Sequence, residues 1–135
     1  LKSDNPPRAI LFETALHGEL LNLDEEDNKR HYAGGMSANR INAGLGTIIS
    51  QLLEICGREK IAGLYTTGGD TMVNVCYQLG VECIEVMDYV IPQTDIGRLV
   101  GSYDGLPIVG KGGLTGNDNR ACDIVERLFR ESARK

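Results

Sequence analysis

The residues best suited to chemistry fall in two glycine turns. The first is Thr66-Thr67-Gly68-Gly69-Asp70-Thr71. It follows the apolar run Ile61–Tyr65 and precedes a helical face of Met72, Val75, Cys76 and Leu79. A strand–turn–helix junction puts such a turn at the carboxyl end of its strand, where open α/β sheets bind ligands. Gly68 and Gly69 carry no side chains, so their amides can approach an anion, and the helix N-terminus adds a positive partial charge. Thr66, Thr67 and Thr71 offer hydroxyl donors. Asp70 can hydrogen-bond a ribose hydroxyl or position a metal through water. The structural alternative is a tight Gly-Gly turn with Asp70 or Thr71 as a helix cap.

The second turn, in Ile108-Val109-Gly110-Lys111-Gly112-Gly113-Leu114-Thr115-Gly116-Asn117-Asp118, repeats the strand–glycine–helix pattern. Lys111 at a strand end, beside Gly112 and Gly113, suits a phosphate as a point charge. Otherwise it is a surface lysine on a turn. Asn117 or Asp118 is a natural N-cap for the helix that follows. Two such turns in one small sheet favour a shared anionic ligand. Neither is a Walker A loop or a G-x-G-x-x-G fingerprint.

The other candidates are weaker. His17 and His31 lie in a polar stretch without an evident partner and read as surface or structural residues. The four cysteines, Cys56, Cys76, Cys83 and Cys122, include no C-x-x-C pair, which disfavours a zinc site. They read as free thiols of a reducing cytosol, mostly small core residues, with Cys76 on an apolar helix face. Ser37 is a helix cap rather than a nucleophile, since no G-x-S-x-G elbow surrounds it.

Both turns need a sheet to hold them. Arg8–Leu16 reads as a first strand, followed by a polar stretch, 17–35. Its acidic run Asp24-Glu25-Glu26-Asp27 reads as a solvated loop or helix end. Ile41, Leu45, Ile48, Ile49, Leu52, Leu53 and Cys56 share one helical face, bounded by Ser37 and Gly57. Gly44 and Gly46 weaken that helix by roughly 1 kcal/mol each, which close packing against a neighbour would explain. After the first glycine turn and its helix, closed by Gly80, Val81–Val90 is β-like. Ile96–Val100 and Leu106–Val109 flank Asp104-Gly105, a hairpin pattern. Ala121, Ile124, Val125, Leu128 and Phe129 mark a last helix whose end is rich in Arg. The order strand, helix, strand, helix, strand, hairpin, helix predicts an α/β fold. The expected form is three-layered and Rossmann-like, with a mostly parallel, mixed central sheet and helices on both faces.

Size and charge bound the function. The chain has 135 residues, 41% hydrophobic and 24% charged, which suits one globular domain. Its 17 glycines are well above the usual ~7%. A net charge of -5 argues against a nucleic-acid partner, though not against phosphate held by backbone amides. No apolar run approaches the ~18 residues of a membrane span. The chain begins without Met at Leu1-Lys2-Ser3-Asp4-Asn5-Pro6-Pro7, as expected of a piece of a longer protein.

Thr67-Gly68-Gly69-Asp70-Thr71, then Cys76, Leu79 and Gly80, then Gly105-Leu106-Pro107, then Lys111-Gly112-Gly113 resemble the C-terminal, nucleotide-binding domain of the four-carbon acid sugar kinases. The resemblance covers residues 38–131 well and the start loosely. The second turn, with Gly112 and Leu114-Thr115-Gly116, is closer to a K-G-G-I-T-S variant than to the S-G-G-F-G style of some members. The resemblance implies that residues 1–135 form one nucleotide-binding domain, the C-terminal part of a two-domain kinase. The parent would transfer the γ-phosphoryl of ATP to a hydroxyl of a threonate-like or erythronate-like sugar acid. It also implies an ATP site at Gly68, Gly69, Asp70, Thr71, Lys111, Gly112 and Gly113. Mg²⁺ would bridge the phosphates with few protein ligands. The acidic D-D-x-T-G motif of the family's N-terminal acceptor domain is absent, so that domain is the implied partner and source of the base. A homo-oligomer is compatible with this reading. The competing class is a non-catalytic phosphate- or nucleotide-binding or assembly module.

Overall fold

The computed structural model describes residues 6–112, 117 and 119–134. Four strands form one sheet in the order β1-β4-β3-β2. They are β1 (Leu64–Thr67), β2 (Val81–Ile91), β3 (Thr94–Gly101) and β4 (Pro107–Lys111). The helices are α1 (Leu23–Lys29), α2 (Met36–Cys56), α3 (Gly69–Gln78) and α4 (Arg120–Ser132). The α/β fold with a mixed sheet is as expected, but the balance of directions is not. Only β1–β4 is parallel, whereas β4–β3 and β3–β2 are antiparallel. The cause is a second hairpin. Pro92 fixes its own φ, Gln93 takes φ 60, and the chain reverses within two residues between Ile91 and Thr94.

Strand alternation divides the core between the two sheet faces. On one face Leu64, Leu99 and Ile108 pack with Leu53 of α2 and Val75 and Leu79 of α3. On the other, Ile96 and Val109 pack with Ile124 and Leu128 of α4. Helices therefore cover both faces, giving the three layers expected. Each fully buried Leu or Ile in these clusters contributes about 1.5–3 kcal/mol.

The first segment departs from expectation. Arg8–Leu16 forms no strand, because no sheet edge pairs with it and its backbone has no ladder to join. It is tied to α4 instead, by Arg8 Nη2 to Glu126 Oε1 at 3.4 Å and by the Arg8 guanidinium over Phe129. The acidic run is not simply solvated. Asp24, Glu25 and Glu26 form the first turn of α1, which Asn22 caps by accepting the Glu25 amide. Asp27 is buried, and its carboxylate accepts the amides of Gly35 and Ser37, both at 2.7 Å. Ser37 therefore does not cap α2. Gly35 is the N-cap residue, and Asp27 supplies the charge at the helix N-terminus. The Ser37 side chain first, with the amides of Ser37, Gly35 and Met36, holds the Asp27 carboxyl below the usual carboxylate range. Its contribution to stability is present above the ordinary aspartate range and fades as pH falls through the depressed value.

The cysteines divide differently from expectation: Cys56 and Cys76 are half-buried, but Cys83 and Cys122 are exposed. Burial pushes the Cys76 thiol pKa up, as an inert packing residue requires. His17 has a partner four residues back, with Nδ1 2.9 Å from Glu13 Oε1.

The two glycines inside α2 have different roles. A Cβ at Gly46 would come within 2.9 Å of the Asn74 carbonyl oxygen and 2.7 Å of Gln78 Cγ, whereas at Gly44 it would meet nothing within 4 Å. Gly46 is what lets α2 lie close on α3. Gly46→Ala is expected to destabilise the fold by about 1–3 kcal/mol. Gly44→Ala is expected to stabilise it by about 0.5–1 kcal/mol. Denaturant unfolding of the two variants checks the opposite signs.

Candidate functional site

Thr67 and Lys111, the last residues of β1 and β4, are register partners across the parallel pair. Both strands run the same way, so Gly68 and Gly112, the residues that follow them, lie at one end of the sheet. One hydrogen bond ties the two strand ends together: the Gly68 amide donates to the Lys111 carbonyl at 3.0 Å. The β2–β3 turn lies at the same end, where the Gly112 amide donates to the Gln93 carbonyl at 2.9 Å. Gly68, Gly69, Asp70, Thr71, Lys111 and Gly112 thus lie together. Gly113, Leu114–Gly116 and Asp118 lie outside the described residues. The N-cap residue of α4 is Asn119 rather than Asn117.

The first turn opens α3 without a side-chain cap. Its N-cap is Gly68, at φ 91, a conformation that favours glycine. The Met72 amide closes the first helical bond to the Gly68 carbonyl. The amides of Gly69, Asp70 and Thr71 precede that bond, and neither Asp70 nor Thr71 caps them. Gly69 is exposed, and a Cβ there would meet no atom within 4 Å. The positive φ belongs to Gly68 and the open approach to Gly69. Behind the turn, a Cβ at Gly110 would come within 2.5 Å of Met72 Sδ, so α3 sits directly on β4.

The hydroxyls behave differently from the simplest expectation. Thr66 is buried, and its Oγ1 donates to the Val109 carbonyl at 3.3 Å, bracing β1 against β4. Thr67 shares a side-chain hydrogen bond with Tyr65, whose phenol pKa is pushed up by burial despite that bond. Thr71 Oγ1 donates to Asn42 Oδ1 of α2 at 2.9 Å. Asp70 is exposed, and its backbone carbonyl accepts the Asn74 side-chain amide. Lys111 is half-buried, and its Nζ donates to the Gly112 carbonyl at 2.8 Å. Together these groups give an N-terminal helix dipole, uncapped amides and a lysine at one sheet end, a combination that suits an anionic group.

Asn42 was not singled out from the sequence, although a cue existed. It stands at the head of the α2 stripe that continues through Gly46, Ile49 and Leu53 toward α3. A polar residue on such a stripe needs a partner, and Thr71 is that partner. Among the described residues, no group of three or more His, Cys, Asp or Glu could hold a metal ion, and no helix is long and apolar enough to cross a membrane.

Residues 3–120 match the family described as Nucleotide-binding C-terminal domain. The chain belongs to that family. It is 44% identical over 93 residues to a D-erythronate kinase of Heliobacterium modesticaldum, covering 68% of this chain and 21% of the relative. It is 34% identical over 87 residues to a D-threonate kinase of Salmonella typhimurium, covering 64% of this chain and 20% of the relative. The chain thus spans about a fifth of the length of these curated relatives. A crystal structure of a domain of unknown function (DUF1537) from Bordetella bronchiseptica, a domain-swapped dimer with bound citrate, aligns with a TM-score of 0.63 at 27% identity. That alignment covers 73% of this chain and 24% of the other. A second crystal form of the same protein gives 0.64 at 28% identity over 72% of this chain and 24% of the other.

The glycine geometry separates folding from binding. Gly69→Val is expected to leave the fold largely intact, since a Cβ there meets no atom within 4 Å, and to weaken nucleotide binding at least tenfold. Gly68→Val is expected to cost about 1–3 kcal/mol of stability through its positive φ. Thermal unfolding and nucleotide affinity measured on both variants check this. A folded Gly69→Val protein that binds like wild type would remove the turn from the site.

Proposed function

We propose that this chain is the ATP-binding domain of a kinase that phosphorylates a hydroxyl of a four-carbon sugar acid, threonate-like or erythronate-like. The observation that supports the reading is the parallel pairing of β1 with β4, which sets Gly68, at the start of α3, beside Lys111. The curated relatives named for erythronate and threonate phosphorylation support the choice of acceptor.

In this reading the amides of Gly69, Asp70 and Thr71 hold phosphate oxygens at the positive end of α3, while Gly68 supplies the turn that aims them. Lys111 neutralises phosphate charge from the neighbouring strand end; the Gly112 amide is already given to the Gln93 carbonyl, so Gly112 is read as part of the wall of the site rather than as a donor. Phosphoryl transfer depends on such positioning and charge stabilisation more than on covalent chemistry by the protein. Mg²⁺ fits this arrangement: when bound with the nucleotide it offsets negative charge on the phosphates, and exposed Asp70 is suited to orient its water. The base that takes the acceptor proton belongs to an N-terminal acceptor-binding domain of the same protein, as does the sugar-acid site. The free thiols suit a cytoplasmic setting.

Calorimetric titration of the chain with ATP, ADP and AMP, with and without Mg²⁺, tests the reading. ATP and ADP are expected to bind modestly, and the chain alone is expected to phosphorylate neither threonate nor erythronate. Absence of binding by any of the nucleotides would favour an assembly module. Turnover by the chain alone would show that the acceptor site lies within it.

A further inference from the structure

The Thr71 hydroxyl has a single proton, and the structure assigns it to Asn42 Oδ1, 2.9 Å away on α2. A hydroxyl has one donor and two acceptor lone pairs. With its proton held by Asn42, Thr71 presents only lone pairs to anything bound at the turn. A phosphate oxygen is itself an acceptor and gains nothing from such a group. A cation, or water bound to a cation, does. Thr71 lies in the first turn of α3, directly after Asp70, whose exposed carboxylate likewise only accepts when ionised.

We propose that the Thr71 hydroxyl and the Asp70 carboxylate form the cation-facing part of the turn, with Asn42 as the positioning residue that keeps Thr71 in its accepting orientation. The division of labour is then clear. The backbone amides and Lys111 recognise phosphate, while the two side chains after Gly69 recognise the metal carried with it. Asn42 can hold this arrangement because Gly46, one turn further along α2, lets the two helices approach closely. The proposal rests on the nucleotide-binding reading above.

The test is the ratio of ADP affinities measured by calorimetry with Mg²⁺ and with EDTA. Thermal unfolding of each variant verifies that it is folded. Thr71→Val removes the oxygen and nearly keeps the shape. It is expected to reduce the gain from Mg²⁺ at least fivefold. Thr71→Ser is expected to retain the gain. Asn42→Ala frees the hydroxyl proton, so the gain from Mg²⁺ should fall while metal-free affinity holds or rises. A purely structural Asn42–Thr71 bond would lower the unfolding temperature in both variants without changing the ratio, which would overturn the proposal. Equal loss of affinity with and without Mg²⁺ in Thr71→Val would also overturn it, by showing that the hydroxyl donates to phosphate. If wild-type chain binds ADP in neither condition, the nucleotide-binding reading itself fails, and the proposal with it.

Discussion

The parallel pairing of β1 with β4 is the constraint on which the rest of this structure depends. It puts Thr67 opposite Lys111, and the Gly68 amide on the Lys111 carbonyl joins the first glycine turn to the end of β4. A slip of one residue would exchange the faces of Leu64 and Tyr65, and the packing on both sides would fail. The clusters under α3 and over α4 therefore fix the register that the site needs. Thr66 adds a hydroxyl bond across the same pair, to Val109. Core packing and site geometry are in this sense one requirement.

Glycine serves that requirement in distinct ways. Gly68 supplies a positive φ that turns the chain from β1 into α3. Gly69 leaves the approach to the α3 amides open. Gly110 and Gly46 act at a distance from the turn. The first lets Met72 rest on β4, and the second lets α2 close on α3 and bring Asn42 to Thr71. The high glycine content is thus partly a packing device that holds the first turn of α3 between a strand and a second helix.

Much of this was legible in the sequence. The first glycine turn, the helix between Gly57 and the acidic run, the hairpin at Asp104-Gly105 and the last helix follow from local pattern, because periodicity and turn residues act over short range. Sheet direction did not follow. It depended on Pro92-Gln93, where a non-glycine residue takes positive φ. The reading of Arg8–Leu16 as a strand failed because an apolar run says nothing about whether a sheet edge is there to receive it. Asp27 and Asn42 escaped for a shared reason. Each acts on a residue far along the chain, Asp27 on Gly35 and Ser37 and Asn42 on Thr71, and spacing does not encode such pairs.

The central claim is that the two turns beyond β1 and β4 form one nucleotide site. Amide chemical-shift mapping of the isotope-labelled chain on addition of Mg²⁺–ADP tests it most directly. The account predicts the largest shifts at Gly68, Gly69, Asp70 and Thr71 together with Lys111 and Gly112, all saturating at a single affinity. Shifts that leave both turns unmoved, or that move one turn and not the other at saturation, would contradict it.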